Sequence, residues 1–227
     1  MKYSFCTTVY NSGEIIGEFL KSMSELLDNN SELVIVDNLS IDGTAEALES
    51  FASNNINVSV IRKYIPENVV ETGVAQGVSS RFILEALKDN NAGKLTSIDL
   101  PNYNPKGQIN RDGQNDSVFV KKELGVGWIV PDSLRGRWNL LLGDSKEILR
   151  NLDVTPDIFF HDSDHSYEHM TFEFEWAYDH LTSEGFIVSD DINWNKSFED
   201  FIGRHKNSVK KLYSKFGTGV AKLTSAN

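Results

Sequence analysis

Short apolar runs that end on an acidic residue recur along this chain, and this repeat limits the fold more than any other feature. Glu32 to Val36 leads into Asp37, Leu95 to Ile98 into Asp99, Asp157 to Phe160 into His161-Asp162, and Gly185 to Val188 into Ser189-Asp190-Asp191. Runs of this kind have the composition of strands buried on both faces of a parallel sheet. Between them, apolar residues return at helical spacing. Ile16, Phe19, Leu20, Met23, Leu26 and Leu27 form one such series, Ala45, Leu48 and Phe51 another, Val78, Phe82, Ile83, Ala86 and Leu87 a third, and Tyr167, Met170, Phe174, Ala177 and Leu181 a fourth. Strand and helix in alternation predict an α/β protein, in which ligands bind outside the carboxyl ends of the strands. The acidic residues therefore stand where a ligand is expected.

With 227 residues and 40% hydrophobic content, the chain can bury the core of one domain, or of one domain with a small appendage. A net charge of −11 argues against nucleic acid or an anionic membrane as the main partner, because both favour a basic face. A small-molecule partner is expected, and an oligomer is compatible with the sequence. The single cysteine, Cys6, rules out an intramolecular disulfide framework. No stretch is apolar for long enough to span a bilayer, so a cytoplasmic location is the expectation.

The pattern falls into two parts. Strands at Tyr3 to Val9, Glu32 to Val36 and Asn57 to Ile61, with the first two helices between them, predict a small βαβαβ unit over 1–61. The pattern restarts after Pro66 and predicts a second domain over 62–227. Its strands are Asn68 to Thr72, Leu95 to Ile98, Trp138 to Leu142 and the two acid-tipped runs, and Lys210 to Tyr213 with Gly219 to Leu223 supply a closing antiparallel pair. The polar stretch from Leu100 to about Arg137 is too long for an ordinary connection and reads as a lid or as a region holding short helices.

Within the second part, Gly73 and Gly77 lie four apart in a turn between a strand and a helix, where the lack of side chains lets a ligand approach the backbone. A tight turn needed only for packing is the alternative reading. Asp99, one βα unit later, is placed to accept both hydroxyl hydrogens of a ribose. Asp144 and Ser145 follow at the next strand end, suited to an adenine edge, although Asp144 also reads as a helix N-cap. The residues Val70-Glu71-Thr72-Gly73-Val74-Ala75-Gln76-Gly77-Val78-Ser79-Ser80, Ser97-Ile98-Asp99-Leu100-Pro101, Gly127-Trp128-Ile129-Val130-Pro131, Leu142-Gly143-Asp144-Ser145 and His161 to His169 resemble the class I S-adenosylmethionine-dependent methyltransferases. Ala75 departs from the further glycine that many of these enzymes carry. The resemblance implies a Rossmann-like, mainly parallel seven-stranded sheet with helices on both faces. It also implies a methyl donor held by Glu71, Gly73, Gly77, Ser79, Asp99, Asp144 and Ser145.

Asp162 and Asp190 are 28 positions apart, a distance that one helix and one strand return to the same sheet edge. This spacing is similar to that in catechol and macrolide-sugar O-methyltransferases, and that resemblance implies Asp162, Asp190 and Asp191 as ligands of Mg²⁺. Capping and solvation are what the same acids do without a metal. A hydroxyl is a poor nucleophile and needs a base, for which His165 is the first candidate and His161 the second, with Asp162 beside them. Asp164 is a candidate for the substrate site. Gly127-Trp128-Ile129-Val130-Pro131 and Trp194 are candidates to line an acceptor pocket, against the usual role of aromatics as core. Together these point to methyl transfer onto a hydroxyl of a small or sugar-containing molecule.

Phe5 to Ser12 and Val34 to Thr44 look like the opening of a family 2 glycosyltransferase. In that family the acid corresponding to Asp37 contacts the nucleoside of a sugar nucleotide. Asp37 and Asp42-Gly43 read equally well as turn residues. The resemblance ends before a metal-binding Asp-x-Asp or a catalytic base appears, so a structural or nucleotide-binding appendage is expected of 1–61. Sugar-nucleotide glycosyl transfer and a non-catalytic assembly module are the competing functions.

Overall fold

The structure, a computed structural model, describes residues 3–37, 40–55, 57–62, 64–103, 109–110, 112–113 and 120–224. The chain divides into two compact units, Met1–Tyr64 and Ile65–Asn227. In the first, β1 (Tyr3–Val9), α1 (Ile16–Leu26), β2 (Ser31–Asp37), α2 (Thr44–Ser53) and β3 (Val58–Arg62) form a three-stranded parallel sheet in the order β1-β2-β3. The alternation along β2 sends Leu33 and Ile35 into one core with Ile16, Leu20 and Met23 of α1 and Leu48 of α2.

The second unit contains β4 (Asn68–Thr72), α3 (Val78–Asp89), β5 (Lys94–Asp99), α4 (Asp132–Arg135), β6 (Trp138–Leu142), α5 (Ser145–Leu149) and β7 (Ile158–His161). It continues through α6 (Tyr167–His180), β8 (Phe186–Ser189), α7 (Ser197–Arg204), β9 (Val209–Lys215) and β10 (Thr218–Leu223). Its seven strands lie in the order β6-β5-β4-β7-β8-β10-β9. The first five are parallel, and β10 runs antiparallel to both β8 and β9. Helices cover both faces, and the pleat of β4 shows why. Val69 packs with Leu84, Leu87 and Leu134 on one side, while its neighbour Val70 packs with Phe159, Met170 and Phe174 on the other. The strand order reverses between β4 and β7, since the chain runs outward from β4 to β6 and returns to lay β7 on the free side of β4. That reversal leaves a crevice at the carboxyl ends of β4 and β7, where Gly73 and Asp162 follow their strands.

Two local features differ from the sequence pattern. The buried face of α3 is Ser80, Leu84 and Leu87, whereas Phe82 is 73% exposed and Val78 54%. The apolar residues of this helix exceed what one face can bury, and the turn that precedes it sets which face is inward. Helix α7, absent from the sequence reading, buries Phe198 and Phe201 against Phe174 of α6. The long connection after β5 contains the short α4, and residues 104–108, 111 and 114–119 of the stretch read as a lid lie outside the described residues.

Candidate functional site

The turn after β4 is built on glycine for a packing reason. Gly73 has φ +82°, and a Cβ there would lie 1.7 Å from the carbonyl oxygen of Asp162. Backbone therefore touches backbone across the crevice. Gly77, at φ +94°, has room for no Cβ because Gly127 Cα and Val130 Cγ2 would each lie 2.9 Å from it. Gly127 and Ile129 donate their amides to the carbonyls of Ala75 and Gln76, at 2.9 and 3.2 Å. The segment 127–130 thus clamps the turn. Gly127 to Pro131 does not line the cavity at the crevice, whereas Trp194 does.

That cavity, of about 510 Å³, is bordered by Gly73, Asp99, Asp144, Ser145, Asp162 and His165 among others. Asp99 serves two purposes. Its Oδ2 accepts the amides of Val74 and Ala75 at 2.8 and 2.9 Å, while Oδ1 has no hydrogen bond among the described residues. One oxygen holds the turn, and the other has no such partner. Burial pushes its pKa above the usual carboxylate value, against the two amide bonds. Asp144 caps α5 by accepting the amide of Lys146 at 2.7 Å and still borders the cavity. Glu71 and Ser79 lie behind the wall. The buried Glu71 carboxylate accepts hydroxyls of Ser79, Ser80 and Ser97, each at 2.6 Å, which ties the start of α3 to β4 and β5. Burial raises its pKa, with the three hydroxyl bonds opposing.

The sequence reading missed the residue with the most polar partners at the site. Glu173 of α6 is fully buried, and five side chains converge on it. Oε1 receives Ser145 Oγ at 2.6 Å, His169 Nε2 at 2.9 Å and Ser163 Oγ at 3.0 Å. Oε2 receives Thr72 Oγ1 at 2.6 Å and His161 Nδ1 at 2.7 Å. Burial works against its charge, but the hydrogen bonds and charges of His161 and His169 hold its pKa well below the ordinary value. A signal was present in the sequence, because Glu173 lies three residues from Met170 and four from Ala177, on the inward arc of an amphipathic helix. A carboxylate there must be paired.

His161 is accordingly committed. Its Nδ1 binds Glu173, its Nε2 has no hydrogen bond among the described residues, and burial lowers its pKa against the pull of Glu173, so it is held as a core residue. It does not border the cavity. His165 does, with Nε2 3.9 Å from Asp162 Oδ1 and its ring centroid 5.3 Å from that of Trp194. Burial and then the neighbouring Asp190 push the Asp162 pKa up to about 7. Asp162 and Asp191 border the cavity, whereas the Asp190 carboxylate turns back to accept the amide of Asp191 at 2.9 Å. Among the described residues, no three His, Cys, Asp or Glu side chains are arranged to hold a metal ion.

In the first unit, Asp37 is buried at the end of β2 and accepts the amide of Ser40 at 3.1 Å. Asp42 accepts the amide of Gly13 at 2.8 Å and the hydroxyl of Thr44 at 2.6 Å, which joins the loops after β1 and β2. Asp37 and Asp42 thus both have structural partners.

Comparison with known proteins fits both units. Residues 70–192, 123 of the 227, match the family model described as methyltransferase domain. Residues 4–69 match that of glycosyl transferase family 2. Among solved structures, the O-methyltransferase NovP is similar over 79% of this chain and 77% of its own, at 16% identity and a TM-score of 0.53. The methyltransferase PaMTH1 of Podospora anserina, solved bound to SAH, is similar over 96% and 89%, at 13% identity and a TM-score of 0.48. No match to a curated protein was found.

Proposed function

The chain belongs to the methyltransferase domain family, and from this premise we propose that it transfers the methyl group of S-adenosylmethionine to a hydroxyl oxygen of a small or sugar-containing molecule. The observation that carries the proposal is the cavity at the β4/β7 reversal, into which Asp99 brings a carboxylate oxygen left unbonded by the turn it holds. Asp99 would accept the ribose hydroxyls. Asp144 and Gly73 would border the nucleoside, with Ser145 beside them, while Glu71, Ser79 and Gly77 keep the turn in place from behind. When bound, the donor supplies an electrophilic methyl group on a sulfonium.

The chain's own part is to position the acceptor and take its proton. His165, which borders the cavity, would take the hydroxyl proton as the methyl group passes from the sulfonium to the oxygen and the sulfur leaves as the thioether, and Asp162, 3.9 Å from the imidazole, would stabilise the imidazolium that results. Trp194 and Asp164 border the same cavity and are placed to contact the acceptor. Magnesium at Asp162, Asp190 and Asp191 is a separate and finer part of the reading. It is supported by the two carboxylates that border the cavity, and no step is routed through it. Calorimetric titration with Mg²⁺ tests it, since a signal lost on replacing Asp190 and Asp191 by Ala supports the site and an unchanged signal removes it.

For 1–61 we propose a structural or nucleotide-binding appendage preceding a catalytic domain over 62–227. No described helix is long and apolar enough to cross a membrane. A cytoplasmic location is part of the proposal, supported by the single cysteine. Thermal unfolding with S-adenosylhomocysteine tests the central claim. Saturating ligand should raise the melting temperature of the wild type and leave that of Asp99→Ala unmoved, and a wild type without a shift would overturn it.

A further inference from the structure

Thr72 ends β4, His161 ends β7, Ser145 opens α5, Ser163 follows β7, and His169 lies on α6, yet all five side chains meet on the one Glu173 carboxylate. Three hydroxyls donate to this carboxylate, and with the two imidazoles its five contacts exceed its roughly four lone-pair directions. The partners divide by oxygen. The two on Oε2, Thr72 and His161, lie in the sheet away from the cavity, and the three on Oε1, Ser145, Ser163 and His169, all border it. We propose that Glu173 is the positioning residue for the nucleoside end of the donor cavity. Through Oε2 it is anchored to the two strands that form the crevice, and through Oε1 it fixes the three side chains that shape the cavity wall.

The arrangement alters the role of Ser145. Its hydroxyl is already donated to Glu173 and lies 2.9 Å from His169 Nε2, so it is an oriented wall element and not a free donor for an adenine edge. It also fixes a tautomer. His169 must carry hydrogen on Nε2 to bond Glu173, which leaves Nδ1 as the nitrogen that gains or loses a proton. Charged groups face this ring from three elements: Glu173 from its own helix, Asp164 from the loop after β7 and Lys146 from α5. Burial opposes the charged ring, but Glu173 and Asp164 together outweigh it and raise the pKa above 6.5.

This inference rests on donor binding at the cavity, and the probe is S-adenosylhomocysteine. Calorimetry on the full chain should show that Glu173→Gln weakens its binding by about ten-fold or more, because the amide keeps one acceptor oxygen and turns an N–H toward groups that now donate to the carboxylate, so that they must reorient. Thr72→Val, which removes a bond to the same carboxylate on the side away from the cavity, should stay within about two-fold of wild type. Equal losses in the two variants would reduce Glu173 to general stability and overturn the proposal. Histidine ring NMR supplies a signature that stability alone does not move. In the wild type, the ring assigned to His169 should titrate above 6.5 and shift on saturation with the probe. In Glu173→Gln the His169 midpoint should fall. A His169 ring that ignores the bound probe would sink the inference even if the variant does not fold. If the wild type binds no probe, it is the proposed function that fails; if it binds and Glu173→Gln binds equally well, only the role of Glu173 fails.

Discussion

At the scale of single residues, the site is held by groups whose geometry leaves little freedom. Gly73 is the sharpest case, because a methyl group there would meet a main-chain carbonyl at 1.7 Å in a backbone conformation that already disfavours a side chain. Gly73→Ala should cost about 3 kcal/mol or more, read as a fall in the denaturant midpoint, and should abolish the thermal shift with S-adenosylhomocysteine. His169 makes a prediction with a definite pH sign. Its folded pKa lies above 6.5, so the stabilisation it contributes is complete below that value and is lost as pH rises through the folded value. Glu173, whose folded pKa lies below the ordinary 4.5, remains ionised across this range. The melting temperature of wild type should therefore exceed that of His169→Gln by more at about pH 6 than at about pH 9. An acid or glycine could be picked out in the sequence by type. Whether Gly73 serves a ligand or a carbonyl, and whether Ser145 is free, depends on neighbours 89 and 28 positions away, which no local pattern reveals.

At the scale of elements, strand and helix positions were legible because buried parallel strands and amphipathic helices carry strong periodic signals. β4, β6 and α5 fall where the pattern places them. α7 was missed because it is only 8 residues long, although Phe198, Phe201 and Ile202 recur at helical spacing. The β9–β10 hairpin shows an element working against local preference. Lys215 pairs with Thr218 across a two-residue loop of Phe216 and Gly217, with φ of +55° and +85°. A loop with both φ positive is the turn that favours Asn-Gly. Phe216 is 96% exposed, so its ring contributes no packing to offset the strain. Phe216→Asn should stabilise the chain by about 1 kcal/mol, raising the melting temperature by about 2–4 °C without altering the binding of S-adenosylhomocysteine.

At the scale of the whole molecule, two units with separate cores should melt as separate units. Differential scanning calorimetry should resolve two transitions, and S-adenosylhomocysteine at about a hundred times its dissociation constant should stabilise only that of Ile65–Asn227, by about 2.7 kcal/mol. A ligand-induced shift confined to the smaller transition would place the donor site in the wrong unit. The sequence by itself determined the α/β class, the strand-end placement of Asp99, Asp144, Asp162 and Asp190, and the family, because periodicity, composition and motif are properties of neighbouring residues. The tertiary structure alone decided what those residues do there. It spent the turn glycines on backbone contact, directed Asp190 to an amide, withdrew His161 into the core and left His165 at the cavity. It also gathered five side chains from separate elements onto Glu173. The physical reason is that a buried polar group takes its role from the partners that satisfy it, and those partners come from distant parts of the chain.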